Sequence, residues 1–224
     1  MELFWYLEKV PSDLKTTILV PFLKNPDKNI HDPENFRPIA LTSNLLKIYQ
    51  RILNRRLINF LEDGDFFSDL QFGFRSDRSV VDAHFLLREA ILTKKFCKGP
   101  RGGRNVAQPL YTAMLDIRKA FDRVPRRLLW ERLFNAGVSG RILRVIMDQY
   151  AATRGVVQIG DLKTREFPIG SGVVQGSILG PVLFNVFINT LIVDLQNSGA
   201  GGVTLRSGKR LNVIGYTDDL VLLA

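Results

Sequence analysis

The stretch "LNVIGYTDDLVLLA" (211–224) places two adjacent aspartates, Asp218 and Asp219, between two apolar runs. Each run is rich in Val, Leu and Ile, which predicts two short buried strands joined at the aspartates. Burying carboxylates together is costly unless a cation or a basic group neutralises them. Asp is also a common turn residue, so these residues alone favour a simple hairpin tip. A functional site here needs partners from elsewhere in the chain.

The composition indicates a globular chain with a basic surface. Of its 224 residues, 46% are hydrophobic and 24% are charged, which is enough apolar material for a sizeable core. The formal net charge of +9 favours a polyanionic partner such as nucleic acid. No apolar run approaches the roughly 18 residues of a membrane span, and the start "MELFWYLEKV" lacks the basic region of a signal peptide. We therefore expect a soluble, intracellular protein without a membrane partner.

The possible metal ligands are few in kind. The single cysteine, Cys97, allows neither an intrachain disulfide nor a thiolate cage, and the two histidines, His31 and His84, are too few for a His-based zinc site. Any bound metal has to use carboxylate oxygens. That donor type indicates Mg²⁺ or Mn²⁺.

The order of the predicted elements indicates an α+β fold. Strands are expected over 15–24, through Pro21, over 109–117 and in short pieces over 203–224. Helices are expected over 45–61, from about Ser79, over 125–137, after a cap at Ser139, and over 181–199, the last apolar on nearly all sides. A hairpin over 155–169 turns at Gly160-Asp161, and 96–108 is predicted to be an exposed, Gly-rich, basic loop. The absence of a regular βαβ alternation distinguishes this pattern from an α/β fold.

The helix "LLKIYQRILNRRLINFL" (45–61) combines an apolar pattern with a basic stripe. Its apolar residues follow a helical period, and Thr42 or Ser43 is the expected N-cap: Leu45, Ile48, Tyr49, Ile52, Leu53, Leu57, Phe60 and Leu61. On the other side Lys47, Arg51 and Arg55 recur every four residues. Like charges at that spacing slightly destabilise an isolated helix, so a nearby phosphate backbone would explain them. A merely solvated face is equally consistent with this helix.

A third carboxylate, Asp116, ends the predicted strand 109–117, much as Asp218 ends "LNVIGYT". Alone, Asp116 is a strand-terminal or capping residue. Three carboxylates at strand ends on a basic chain form a more specific set. Two Mg²⁺ ions about 3.5–4 Å apart, bridged by carboxylates, activate a 3′-hydroxyl and stabilise a leaving pyrophosphate in known enzymes.

Five motifs resemble those of reverse transcriptases, in the order of that family and over nearly the whole chain. They are "NFRPIALTSNLLKIYQRILNRRL" (35–57), "QFGFRSDRSVVDA" (71–83), "LDIRKAFDRV" (115–124), "GVVQGSILGPVLFNVFINTL" (172–191) and "YTDD" (216–219). The set is most similar to non-LTR (LINE-type) retrotransposon enzymes, with group II intron reverse transcriptases as relatives. Two residues depart from the pattern: Val174 stands where many relatives have proline, and Thr217 where alanine is common.

The resemblance implies a right-hand polymerase with fingers and an antiparallel palm sheet backed by helices. We expect fingers at about 1–109 and palm at about 110–224, interleaved around 130–175, with no thumb after the Asp-Asp hairpin. The implied activity is that of an RNA-directed DNA polymerase with an RNA template, a DNA primer, dNTPs and two Mg²⁺ ions, for which Mn²⁺ can substitute. A segment that stops here is expected to synthesise weakly, and a eukaryotic element of this kind would act in the nucleus.

Carried over by position, Asp116 and Asp218 are the principal metal ligands and Asp219 is the third carboxylate. Asp122 lies in the same block as Asp116, but we interpret it as a helix-capping or ion-pairing residue. Phe121 matches the steric gate, where a bulky ring excludes a 2′-hydroxyl and favours deoxynucleotides.

The resemblance also assigns the contacts to substrate. Lys24, or Lys28 in a looser alignment, and Arg37 match basic residues that hold the incoming triphosphate. Gln175 and Gly176 match residues beside the nascent base pair, where glycine permits close backbone approach. Arg75 is predicted to contact template or primer phosphate, as are Lys47, Arg51 and Arg55.

Three alternatives remain open at the level of sequence. An RNA-dependent RNA polymerase shares the palm and its aspartates, but Phe121 and the upstream motifs argue against it. A non-catalytic nucleic-acid-binding remnant of a mobile element would not need all three carboxylates intact. A purely structural α+β domain requires the basic surface and the turn aspartates to be coincidences.

Overall fold

In a computed structural model of the chain, residues 1–97, 106–199 and 201–224 are described. The helices are α1 (Glu2–Leu7), α2 (Asn44–Asp63), α3 (Val80–Lys95), α4 (Arg126–Asn135), α5 (Gly140–Tyr150) and α6 (Gly180–Asn197). The strands are β1 (Thr16–Leu23), β2 (Phe36–Leu41), β3 (Thr112–Asp116), β4 (Arg154–Ile159), β5 (Leu162–Lys163), β6 (Phe167–Pro168), β7 (Val203–Thr204), β8 (Arg210–Leu211), β9 (Val213–Tyr216) and β10 (Asp219–Leu223). These elements confirm the predicted α+β class. The central part of the predicted loop 96–108 lies outside the described residues.

The chain forms two compact units, each made from two separate stretches. The first unit comprises residues 1–64 and 121–184, and the second comprises 65–120 and 185–224. The boundary between fingers at about 1–109 and palm at about 110–224 stays a prediction.

The first unit contains a sheet in the order β2-β1-β4-β5, with β6 also paired to β4. β1 pairs antiparallel with β2 and parallel with β4. Pro21 lies inside β1 as predicted, opposite Pro38 of β2. The predicted hairpin is also present, since Ile159 pairs with Leu162 and leaves Gly160-Asp161 as its two-residue turn.

The buried face of α2 differs from the predicted one. Its buried residues form a single stripe of Leu46, Tyr49, Gln50, Leu53, Leu57 and Leu61. Four predicted members of the apolar face, Leu45, Ile48, Ile52 and Phe60, are instead 42–56% exposed. The reason is that α2 has apolar residues over more than half of its circumference, and the stripe one residue further along is the one that packs.

The helix starts show how much local side-chain chemistry contributes. Ser79 caps α3 with a full capping box, because its hydroxyl accepts from the Asp82 N–H while the Asp82 carboxylate accepts from the Ser79 N–H. Ser43 and Ser139 occupy the N-cap positions of α2 and α5 without a side-chain capping hydrogen bond. Side-chain capping therefore does not define the starts of α2 and α5.

The second unit contains an antiparallel sheet in the order β3-β10-β9. Helix α3 packs against it through a core of buried residues from α3, from the segment before it, from β9 and β10, and from the β7–β8 hairpin: Phe72, Ala83, Ala90, Val203, Leu211, Ile214 and Leu223. This is the predicted antiparallel sheet backed by a helix. Strand β3 differs from the other strands of this sheet. It is largely apolar in sequence, yet all five of its residues are exposed.

Helix α6 is the apolar helix predicted over 181–199. Most of its residues from Gly180 to Ile192 are buried, and the two buried polar side chains among them are Asn185 and Asn189. Among the helices that the structure describes, none combines the length and apolarity needed to span a membrane.

Candidate active site

Two of the three predicted carboxylates face each other across a strand pair. Asp116 is the last residue of β3, Asp219 is the first of β10, and the two are opposite in the antiparallel register. Side chains opposite each other on neighbouring strands project from one face, with Cβ atoms about 4.5–5.5 Å apart. Both aspartates are exposed. Like charges at such a position destabilise the sheet, so a cation bound between them would relieve the repulsion.

Asp218 is next to this pair, in the turn between β9 and β10, and it is half-buried. Within residues 1–97, 106–199 and 201–224, no three His, Cys, Asp or Glu side chains form a group that could hold a metal ion. Of the three predicted carboxylates, Asp116 and Asp219 therefore lie opposite each other, and Asp218 is adjacent in the chain to Asp219. Their donors are all carboxylate oxygens, the type that Mg²⁺ and Mn²⁺ take, so the donor chemistry fits those ions.

The turn that carries Asp218 has an unusual backbone. Tyr216 pairs with Asp219, which leaves Thr217 and Asp218 as a two-residue loop. Thr217 has a φ of 60°, in the left-handed region, and it is buried. A positive φ at the first loop residue alone is the pattern of a type II′ turn, where glycine is preferred. A β-branched residue there is strained, and strain of this kind clusters at functional sites.

Gln71 contacts this turn, and sequence reasoning gave it no role. Its side chain is fully buried, its Nε2 donates to the Thr217 carbonyl at 3.2 Å, and its Oε1 accepts from the Thr217 N–H at 3.1 Å. The available signal was a glutamine directly before the apolar "FGF" of the second motif. A polar residue in an apolar run is either exposed or hydrogen-bonded, and sequence alone does not say which.

Arg75 is engaged by its own loop. One Nη donates to the Ser68 carbonyl at 2.7 Å and to the Gln71 carbonyl at 3.4 Å, and the guanidinium lies over the Phe67 ring at 5.3 Å from its centroid. These contacts give Arg75 a structural role in closing the segment that carries Gln71. Its predicted contact with nucleic-acid phosphate stays a prediction.

Phe121, the predicted steric gate, belongs to the first unit. Its ring stacks on Phe184 of α6, with the centroids 4.7 Å apart and an angle of 16° between the planes. Its carbonyl accepts from the Val173 N–H at 2.8 Å, so the gate position is tied to the loop that precedes Gln175. Asp122 follows in a short 3-10 turn, and Pro125 rather than Asp122 holds the N-cap position of α4. Asp122 therefore does not cap α4, and its interpretation as an ion-pairing residue stays a prediction.

The Gln-Gly loop packs directly against β2. The Ala40 N–H donates to the Gln175 carbonyl at 3.2 Å. Gly176 has a φ of 99°, and a Cβ there would lie 2.9 Å from the Ala40 carbonyl oxygen. The absence of a side chain at Gly176 therefore permits the close approach of this loop to β2. The placement of both residues beside a base pair stays a prediction.

Arg126 supports the start of the same loop, and sequence reasoning did not select it. Its guanidinium donates to the backbone carbonyls of Gly172, Tyr150 and Ser171 at 2.9, 2.8 and 3.3 Å. Burial lowers the pKa of Arg126 from its ordinary value, although the group remains charged near neutral pH. Arg126 therefore joins the end of α5 to the segment before Gln175.

The two predicted triphosphate-binding residues lie at the β1–β2 hairpin. Lys24 follows β1 and its Nζ donates to the Glu34 carbonyl at 2.8 Å, which holds it in the hairpin loop. Arg37 lies within β2 opposite Phe22 and is exposed. The exposed position of Arg37 leaves its guanidinium accessible to a phosphate group. Both assignments stay predictions.

The basic stripe of α2 is partly as expected. Arg51 and Arg55 are exposed and Lys47 is half-buried. Arg51 and Arg55 lie on the side of the helix away from its buried residues, where the exposed Ile48 and Ile52 border them. The outer surface of α2 therefore combines cationic and aliphatic groups.

Comparisons with known proteins address the family directly. The family described as "Reverse transcriptase (RNA-dependent DNA polymerase)" matches residues 23–224. The chain is 29% identical over 209 residues to the "Retrovirus-related Pol polyprotein from type-1 retrotransposable element R2" of Popillia japonica, covering 92% of this chain and 27% of that protein. It is also 29% identical to the "Probable RNA-directed DNA polymerase from transposon BS" of Drosophila melanogaster, covering 90% of this chain and 20% of that protein.

Solved structures show the same fold at low sequence identity. The apo telomerase of Candida tropicalis, truncated from its C-terminal domain, has a TM-score of 0.62 at 13% identity, over 96% of this chain and 44% of that one. The telomerase of the same organism in complex with a TWJ fragment of telomeric RNA has a TM-score of 0.63 at 13% identity, over 100% and 39%. Of the two retrotransposon relatives described above, the chain spans less than a third of the length, 27% and 20% respectively. Because the family match covers residues 23–224, the chain belongs to the reverse transcriptase family, with relatives among the non-LTR retrotransposons.

Proposed function

We propose that the chain is the catalytic core of an RNA-directed DNA polymerase that transfers dNMP units to a DNA primer on an RNA template. The observation that supports this most directly is the opposed pair of Asp116 and Asp219 beside Asp218, in a chain whose residues 23–224 match the reverse transcriptase family. In the proposed reaction the primer 3′-oxygen bonds to the α-phosphorus of the dNTP, pyrophosphate leaves, and the hydroxyl proton is lost to solvent.

The three aspartates are the residues proposed to hold two Mg²⁺ ions. When bound, such ions lower the pKa of the primer hydroxyl and neutralise charge on the leaving pyrophosphate. Asp116 and Asp219 lie at the ends of two hydrogen-bonded strands, and their side chains are short. Both features hold the carboxylates rigidly. Mn²⁺ accepts the same oxygen donors and is expected to substitute.

The remaining predicted residues are assigned to substrate. Arg37 and Lys24 are proposed to bind the triphosphate of the incoming nucleotide, with Arg37 making the bidentate contact that a guanidinium permits. Phe121 is proposed to exclude a ribose 2′-hydroxyl, which its stacking on Phe184 supports by fixing the ring. Gln175 and Gly176 are proposed to lie beside the nascent base pair.

Nucleic-acid binding is proposed to use the basic residues outside these positions. Arg51 and Arg55 on the outer surface of α2, with Lys47, present positive charge every four residues. Each phosphate contact adds a salt-dependent increment to affinity. Arg75 is a weaker candidate because its guanidinium already binds two backbone carbonyls.

Primer extension on an RNA template with Mg²⁺ tests the proposal. The wild-type chain is expected to extend the primer with dNTPs and not with rNTPs, and Asp218→Asn and Asp116→Asn are each expected to abolish extension. Asp161→Asn, at the exposed turn between β4 and β5, is the matched control and should extend as the wild type does. Binding of primer and template without the addition of even a single nucleotide would favour the non-catalytic remnant. Efficient use of rNTPs would favour an RNA polymerase and overturn the role given to Phe121.

A further inference from the structure

The amide of Gln71 hydrogen-bonds both to the Asp-Asp turn and to its own segment. Besides its two hydrogen bonds to Thr217, its Oε1 accepts from the Gly73 N–H at 3.1 Å. The Gly73 carbonyl in turn accepts from Asn185 Nδ2 at 2.8 Å, and Asn185 is 1% exposed. A buried polar chain therefore runs from α6 through Gly73 and Gln71 to the turn.

The backbone around Gln71 is aligned with β9. The Gly215 N–H donates to the Leu70 carbonyl at 2.7 Å, and the Phe72 N–H donates to the Gly215 carbonyl at 2.9 Å, which makes a short parallel bridge. This bridge ends two residues before Thr217. The Gln71 side chain is thus directed along β9 to the point where the strand becomes the turn.

The turn has a specific need for such support. Thr217 adopts a left-handed backbone that a β-branched residue resists, and its N–H and carbonyl are buried away from water. A primary amide satisfies both groups at once, because it holds an acceptor oxygen and an N–H donor in a fixed geometry. Without it, Thr217 would have to leave its conformation or bury two unsatisfied groups.

We propose that Gln71 is a positioning residue that holds the Thr217 backbone in its left-handed conformation and thereby fixes Asp218 and Asp219 for binding divalent cations. Gln71 itself contacts neither substrate nor metal. Its importance for synthesis rests on the proposed polymerase function, whereas its effect on the turn does not.

The first test is the exchange of the Thr217 amide hydrogen with solvent, measured by NMR on the ¹⁵N-labelled 224-residue chain. Gln71→Met removes the amide and keeps a side chain of similar length. It is expected to accelerate Thr217 exchange at least about tenfold relative to the β9 and β10 amides. Asn189→Leu is the matched control, because Asn189 is a buried amide of the same unit that binds the Phe66 carbonyl and the Ser68 N–H, each at 2.8 Å. It should leave Thr217 exchange unchanged.

The second test is a titration with Mn²⁺ alone, followed by electron paramagnetic resonance. Gln71→Met is expected to weaken the affinity for Mn²⁺ at least about fivefold, and Asn189→Leu is expected to leave it unchanged. Adding Thr217→Gly to Gln71→Met should restore most of the affinity, because glycine adopts a positive φ without strain. This rescue would not occur if Gln71 contributed only to general stability.

These outcomes separate the inference from the proposed function. If the wild type fails to extend a primer while both tests give the expected results, the polymerase proposal fails and the positioning role stands. If the wild type extends and Gln71→Met behaves as Asn189→Leu does in both tests, the positioning role is overturned. If Gln71→Met does not fold, the rate of Thr217 amide exchange in the wild type tests the positioning role. Thr217 exchange as slow as that of the β9–β10 amides supports the role, and exchange as fast as that of exposed loops overturns it.

Discussion

Replacing Gly73 by alanine measures how closely the chain packs against the Asp-Asp turn. A Cβ on Gly73 would lie 3.0 Å from the Thr217 Cα and closer still to its Oγ1 and backbone nitrogen. The hydroxyl can rotate away, but the nitrogen and Cα belong to the turn itself. Because non-bonded heavy atoms pack at about 3.5–4.0 Å, and the backbone nitrogen would lie closer to this Cβ than the Cα does, the two segments have to separate by about 1 Å or more.

The magnitude of the effect follows from that separation. Gly73 lies outside the left-handed region, so alanine adds a steric cost without backbone strain. Overpacking of this kind lowers the free energy of unfolding by about 1–3 kcal/mol. If the turn moves by close to 1 Å, the misplaced carboxylates are expected to lower the rate of primer extension by about 100-fold.

Two assays on the same variant separate stability from positioning. Denaturant titration gives the change in the free energy of unfolding, and single-nucleotide extension at saturating dNTP gives the rate. Gly170→Ala is the matched control, because a Cβ there meets no atom within 4 Å and its φ is ordinary. The reasoning is refuted if Gly73→Ala has the same free energy of unfolding as Gly170→Ala and an extension rate within threefold of it. The close approach to Thr217 would then impose no constraint.

Three further perturbations test other parts of the molecule. Phe121→Val should raise the use of rNTPs relative to dNTPs about tenfold or more in a competition assay, and an unchanged ratio would contradict the steric gate. Arg51→Ala with Arg55→Ala should reduce the slope of log affinity against log salt for a primer–template by about 1.5, whereas an unchanged slope would place the duplex elsewhere. Burial opposes ionisation of Asp148, but its hydrogen bonds, chiefly from Lys15, hold its pKa below the ordinary value. The stabilisation is therefore complete above about pH 4 and lost as pH falls through the lowered pKa, so Asp148→Asn should flatten the acid limb of stability against pH in denaturant titrations.

The sequence predicts the elements of this fold well where a local pattern determines them. The two-residue turn at Gly160-Asp161, the capped start of α3 at Ser79 and the apolar helix over 181–199 all follow from residues close together in the chain. The family follows from five ordered motifs. The turn, the helix start, the apolar helix and each single motif are complete within about 20 residues, so no tertiary information is needed to interpret them.

The wrong predictions concern which face of an element is buried, and this depends on how the elements pack together. Helix α2 carries two overlapping apolar stripes, and the sequence does not indicate that Leu46 is buried while Ile48 is 56% exposed. The β3 strand is apolar in composition, yet Met114 is 75% exposed. Local periodicity gives the direction of a side chain relative to its element. It does not say whether another element covers that side.

The Asp-Asp turn shows how the two kinds of information combine. The motif "YTDD" identifies the carboxylates, but Thr-Asp is a poor sequence for a two-residue hairpin loop, which prefers glycine or asparagine where φ is positive. The conformation at Thr217 therefore has to be imposed from outside the hairpin, and the hydrogen bonds from Gln71, 146 residues earlier in the chain, supply that constraint. The restraints on this turn are buried, whereas Asp219 is exposed and Asp218 is half-buried. The local motif thus identifies the aspartates proposed to bind metal, whereas the position of these aspartates depends on the buried amide of Gln71, which is distant in the sequence.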